Sequence, residues 1–151
     1  MTVFAPDEEV AKTLAAAGWF PGRSVDVTPW LQELEEAGLV AHPAARAFLS
    51  QFAGLSVPDR GPGVTVFRAA FSFDPKSALG AEDQFTDWSA ELGVSLFPIG
   101  ELEHCHPLGI DEDGDVYVVS DWIAIYGSWD KALRSLVLGY RAPEIDVSTG
   151  E

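Results

Sequence analysis

Basic residues are scarce in this chain. There are 9 lysines and arginines against 24 aspartates and glutamates, a formal net charge of −15 over 151 residues. Phosphate backbones and anionic membrane surfaces attract basic faces, so neither nucleic acid nor membrane is an expected partner. A basic protein is the partner class whose approach such a field accelerates. Cysteine is nearly absent. Cys105 stands alone, which excludes an intramolecular disulfide and suits a reducing compartment. The opening MTVFAPDEEVAK has neither a basic start nor a long apolar core, so no secretory signal is expected. No run approaches the roughly 18 apolar residues of a membrane span. The expected location is cytoplasmic. The enzyme signatures G-x-S-x-G, H-E-x-x-H, the Walker loop and the dinucleotide fingerprint are missing too. Neither catalysis nor a cofactor is therefore expected.

What is present is an ordinary globular composition, 47% hydrophobic and 11% aromatic. One domain of this length buries about 68–70% of its unfolded surface and needs no metal or disulfide to fold. A helix is expected over Asp7 to Ala17, with acidic residues at its positive end and Gly18 as its stop. Thr28-Pro29 opens a second, with Trp30, Leu31, Leu34 and Ala37 as its apolar stripe and Gly38 as terminator. A third runs from about Pro43 to Phe52. The character then changes. Val64 to Phe73 is β-branched and aromatic and reads as a strand. Pro75 to Gly80 reads as a loop and Asp83 to Leu92 as a helix. Val94–Ile99 and Leu102–His106 read as short strands around a Pro98-Ile99-Gly100 turn. Val116–Val119 and Trp122–Tyr126 follow as strands, and Trp129 to Leu138 as a last helix capped by Ser128. Helices first and a strand meander afterwards give an α+β fold with an antiparallel sheet flanked by helices. The expected organisation is one domain over residues 1–142 and a loose acidic tail over 143–151.

The order of landmarks resembles the third branch of the SUKH superfamily of bacterial immunity proteins. Gly18-Trp19 with Pro21-Gly22-Arg23 resembles its opening motif, and Trp30-Leu31 with Gly38 the helix that follows. Ala45, Phe48-Leu49, Phe52 and Gly54-Leu55 resemble the next helix and its exit. Phe71 and Phe73-Asp74-Pro75 are similar to the strand after it. Leu96 and Pro98-Ile99-Gly100-Glu101 resemble a characteristic "L-P-I-G-E" segment. Leu108, Ile110-Asp111, Gly114 and Val116-Tyr117 resemble an acidic hairpin, and Gly127 and Leu133 lie near the end. The resemblance implies a sheet flanked by helices and a protein that binds and neutralises a cognate toxin, without catalytic residues of its own. Two other readings stay open: a general interaction module of the same fold, and a small metal- or cysteine-dependent hydrolase.

Three local patterns bear on those readings. His104 and His106 share one face of a strand with Cys105 on the other, but a zinc site needs a third ligand, so no metal is expected. A nucleophilic Cys105 needs a base beside it, and its histidine neighbours project to the opposite face. Asp111-Glu112-Asp113-Gly114-Asp115 puts glycine too early for a calcium loop and reads as a hairpin turn. The candidate partner contacts are Glu101, Glu103, Asp111, Glu112, Asp113, Asp115 and Asp121, read as exposed. They form one acidic patch if the two hairpin regions lie side by side, and would pair with the cations of a basic toxin such as a nuclease. Trp30, Trp122 and Trp129 read either as aromatic anchors for a partner or as core residues, and the core is the expected place because large aromatics dominate core burial.

Overall fold

The computed structural model describes residues 8–58, 61–66, 68–103 and 106–145. The helical N-terminal part follows the sequence pattern closely. Helix α1 is Glu8–Ala16, α2 is Thr28–Glu36 and α3 is Pro43–Phe52. Proline in the first turn starts both α2 and α3, where its missing N–H has no intrahelical partner to lose. The later helices are α4, Glu82–Leu92, and α5, Trp129–Leu138. Among the described residues no helix is long and apolar enough to cross a membrane.

The sheet is a simple meander. Strands β1 (Ser56–Val57), β2 (Phe71–Ser72), β3 (Phe97–Leu102), β4 (His106–Ile110), β5 (Asp115–Val119) and β6 (Ile123–Ser128) pair antiparallel in the order of the chain. Helix α3 packs against β3, α4 against β5, and α5 against β5 and β6. On one face Phe85 of α4 stands over Gly109, with Val119 alongside. On the other, Leu102, Val118, Ala124 and Tyr126 line a hollow together with Val66, Tyr140 and Ala142. Covered on both faces, Val116 to Val119 are buried without alternation. The fold is thus α+β, with helices before a strand meander.

The structure departs from the sequence pattern in several places: β1 was not expected, and Leu102 ends β3 while His106 begins β4 where one strand was expected. Three further departures have a clear physical reason. Of the described residues in Val64 to Phe73, only Phe71–Ser72 join the sheet. The Val64, Thr65 and Val66 amides instead donate to the carbonyls of Leu138 and Gly139, each at 2.9 Å. They satisfy acceptors that the end of α5 leaves open, and that use of their N–H groups takes them out of a ladder. Val64, at 59% exposure, shows that β-branching alone did not decide its conformation.

Second, Pro98-Ile99-Gly100 is no turn. β3 runs straight through it with a bulge between Pro98 and Gly100. Glycine is required there by crowding: a Cβ at Gly100 would lie 1.9 Å from the Ser72 carbonyl oxygen. Third, residues 143–145 continue the sheet's bonding. The Ile125 amide donates to the Pro143 carbonyl at 3.0 Å, and the Ile145 amide to that of Ile123 at 2.8 Å. The expected loose tail therefore lies alongside β6 at its beginning, and the rest of it lies outside the described residues.

The crowding at Gly100 gives the first prediction. Gly100→Ala lowers the free energy of unfolding by about 3 kcal/mol, the upper end of overpacking costs. Urea denaturation of the purified protein measures it, and an unchanged midpoint would contradict the close approach of β2 to β3.

Candidate functional site

A meander puts successive turns at opposite ends of the sheet, and this divides the candidate carboxylates. Glu101 and Glu103 lie at the β3–β4 end, and Asp121 sits in the β5–β6 turn at that same end. Asp111, Glu112, Asp113 and Asp115 lie at the far end, in the β4–β5 turn. β4, five residues long, separates the two groups by roughly 16 Å at about 3.3 Å per residue. The hairpin regions do not lie side by side, and their acids do not form one patch.

The far end is the more rigidly built. Asp111 is 2% exposed, so it is not the exposed contact that its sequence context suggested. Its Oδ1 accepts the amides of Asp113 at 2.9 Å and Asp115 at 3.0 Å, and its Oδ2 accepts the Tyr117 hydroxyl at 2.8 Å. The acidic stretch is therefore a hairpin turn folded around its own first carboxylate. Glu112 is exposed and bonded: its Oε1 accepts the Ser95 amide at 2.9 Å. That bond holds its carboxyl below the usual range. Asp113 is exposed and Asp115 half-buried. Burial raises the Asp115 carboxyl, and the charges of Asp111 and Asp113 add to the rise.

The other end is tied down differently. The Glu103 amide donates to the Ala70 carbonyl at 2.8 Å, and its Oε2 accepts the Ala70 amide at 2.7 Å. Its backbone is left-handed, with φ of 55°. Glu101 is half-buried on β3 between Ser72 and Pro107. Asp121 is exposed and accepts from Gln84 at 3.3 Å. It borders a hollow with Asp87, Glu91 and Trp88. His104 and Cys105 lie outside the described residues. His106 begins β4, its ring 5.4 Å from that of Trp122. Among the described residues no three potential ligands cluster to hold a metal.

A cleft of about 200 Å³ adjoins the far end, between α3 and the β4–β5 turn. Phe48 and Trp129 line it, and Glu112 and Asp113 stand at its rim. α3, its wall, is fixed at both ends. At the start His42 Nδ1 accepts the Ala45 amide at 3.1 Å. That places the ring proton on Nε2, which faces the Ser95 and Ile110 carbonyls at 2.9 and 3.1 Å. At the end the Arg23 guanidinium donates to the Gln51 and Ala53 carbonyls.

The model of the SUKH-3 immunity protein family matches residues 6–139, most of the chain. The chain belongs to the SUKH-3 immunity protein family. No curated protein and no solved structure matches it. Within this SUKH-3 domain the landmark residues do structural work. Arg23 of the Pro21-Gly22-Arg23 motif closes the end of α3. Trp30 packs its ring 3.4 Å from the Cβ position of Gly54. Tyr117 anchors the acidic turn. The tryptophans divide: Trp30 and Trp129 are half-buried, while Trp122 is 40% exposed, contrary to its expected place in the core. The sequence reading missed His42 and the cleft. A histidine immediately before the helix-starting Pro43 was the available signal for a cap, and the cleft needs tertiary contact to exist.

Two predictions follow from the acidic turn. Asp111→Ala strands the Tyr117 hydroxyl and two amides, and costs about 2–4 kcal/mol of stability by denaturant titration. The second concerns alkaline pH. Burial, then donation to Asp111, raises the Tyr117 phenol, and burial pushes Tyr126 up to about 12. Acids with folded-state values above the unfolded value of about 10 contribute stability that is full below pH 10 and lost as pH rises beyond it. Stability should therefore fall above about pH 10, and Tyr117→Phe should flatten that fall. An equally steep loss in the variant would exclude Tyr117 as a source.

Proposed function

We propose that this domain is the antidote to a cognate bacterial toxin, acting in the cytoplasm by stoichiometric occlusion, with no turnover of its own. Membership of the SUKH-3 immunity family over residues 6–139 is the observation that carries the reading. The charge of −15 supports a basic partner and rapid, electrostatically steered association. A nuclease is the toxin class that fits best, since its substrate site must present cations to phosphate. Carboxylates seated on those cations exclude the nucleic acid, and paired contacts to arginine are the strongest of them.

The candidate contacts are Glu101, Glu103 and Asp121 at one end of the sheet, and Glu112, Asp113 and Asp115 at the other. Asp111 serves the second group from beneath, as the buried support of its turn. The rigid hairpin supports the far end as the principal contact, because a pre-ordered surface loses little entropy on binding.

The test is co-expression with the toxin encoded beside this gene. The wild-type domain restores growth and forms a one-to-one complex. Asp113→Lys weakens the complex by about tenfold or more, in the range for misplacing a charge at an interface, while Asp121→Lys has a smaller effect. Continued killing in the presence of folded wild-type domain would refute the reading.

A further inference from the structure

We infer that the cleft between α3 and the β4–β5 turn is the seat for a single arginine side chain of the protein partner. The inference rests on the proposed immunity reading and names the chemistry of one contact within it. The cleft has about 200 Å³ of free volume. An engineered apolar cavity of about 150 Å³ holds a benzene molecule, so this one admits the outer part of one large side chain. Its walls are mostly apolar, with Ala44, Ala47, Phe48 and Phe52 on α3 and Trp129 at the start of α5, and Gln51 adds one polar side chain. The Trp129 ring is held in place by Phe48 and Phe52, with ring centroids 6.4 and 5.9 Å away. Glu112 and Asp113 stand exposed at the rim.

The combination selects among occupants. A purely apolar side chain would fill the walls but desolvate two carboxylates without compensation. An acidic one would meet like charge. Lysine carries the right sign, but its compact ammonium is strongly hydrated and lacks the planar fork of donors that two carboxylates accept together. Arginine meets each demand: a methylene stem for the alanines and Phe48, a planar cation beside the Trp129 ring that lines the cleft, and a fork of donors for the rim carboxylates. The seat is preformed. Glu112 is already oriented by the Ser95 amide, and the turn is fixed by Asp111 beneath it.

The experiment is an NMR titration of the full chain with N-acetyl-arginine amide, and separately with its uncharged isostere N-acetyl-citrulline amide. The arginine compound should shift the Trp129 indole N–H and the Gly114 amide saturably, with a dissociation constant on the order of millimolar for so small a ligand. The citrulline compound should bind about tenfold more weakly or worse. Ala47→Trp fills the cleft and Asp113→Asn removes one rim charge while leaving the turn's bonds in place. Both should weaken the response to arginine, with thermal melting checking that each variant is folded. Equal binding of citrulline, or shifts centred on Trp122, would overturn the inference. So would a dimer in sedimentation velocity that Ala47→Trp abolishes, since a second copy would then be the occupant. The titration contains no toxin, so its outcome is separate from the growth test. Full growth rescue by Ala47→Trp would leave the immunity reading standing and remove the cleft from it.

Discussion

Asp111 has both carboxylate oxygens occupied and almost no contact with water: two amides of its own turn on one, the Tyr117 hydroxyl on the other. A buried carboxylate without such donors would be costly; with them it fixes its surroundings. The β4–β5 turn folds around it, and the positions of Glu112, Asp113 and Gly114 follow. Ser95 joins the same assembly through Glu112, and His42 joins through the Ser95 and Ile110 carbonyls. The start of α3 is therefore set relative to the acidic turn by polar bonds as well as by packing. The cleft between them is a consequence of that arrangement.

Charge is spread over this scaffold instead of being concentrated in it. The meander sends alternate turns to opposite ends, so an acidic sequence with its carboxylates near turns becomes a molecule acidic at both ends. The ion pair of Arg46 with Glu35, at 3.0 Å on the surface of the helical layer, is of the exposed kind that adds little stability. The excess of negative charge is a long-range property suited to steering a partner in. Recognition at short range needs the ordered carboxylates and the aromatic surface beside them.

Close approach of backbones is the second recurring device. Gly100 brings β3 against Ser72. Gly63 and Gly139 meet where the segment after β1 docks on the end of α5; a Cβ on Gly63 would lie 2.7 Å from the Gly139 Cα. These contacts make the sheet and its flanking segments one body. Close approach also accounts for Gly100, which carries no turn although local rules read it as one.

Much was determined by the sequence alone. α3 and α5 occupy the residues that periodicity and Pro43 indicated, although the Ser128 side chain makes no cap bond to α5, and the acidic hairpin has its turn at Asp111 to Gly114. The reason is local: prolines and apolar spacing act within a few residues of the chain. Family membership was legible as well, through an ordered set of landmarks, several of which have a structural job. Tertiary structure decided the rest. It took Val64 to Val66 out of the sheet by offering their amides the end of α5, and put Gly100 inside a strand, where Ser72 leaves no room for a Cβ. It buried Asp111, set Glu101, Glu103 and Asp121 at the opposite end from Glu112, Asp113 and Asp115, and opened a cleft between segments distant in the chain. None of these is visible along the sequence, because each depends on a partner group far away in it, and burial and separation are properties of the packed molecule, not of a residue and its neighbours.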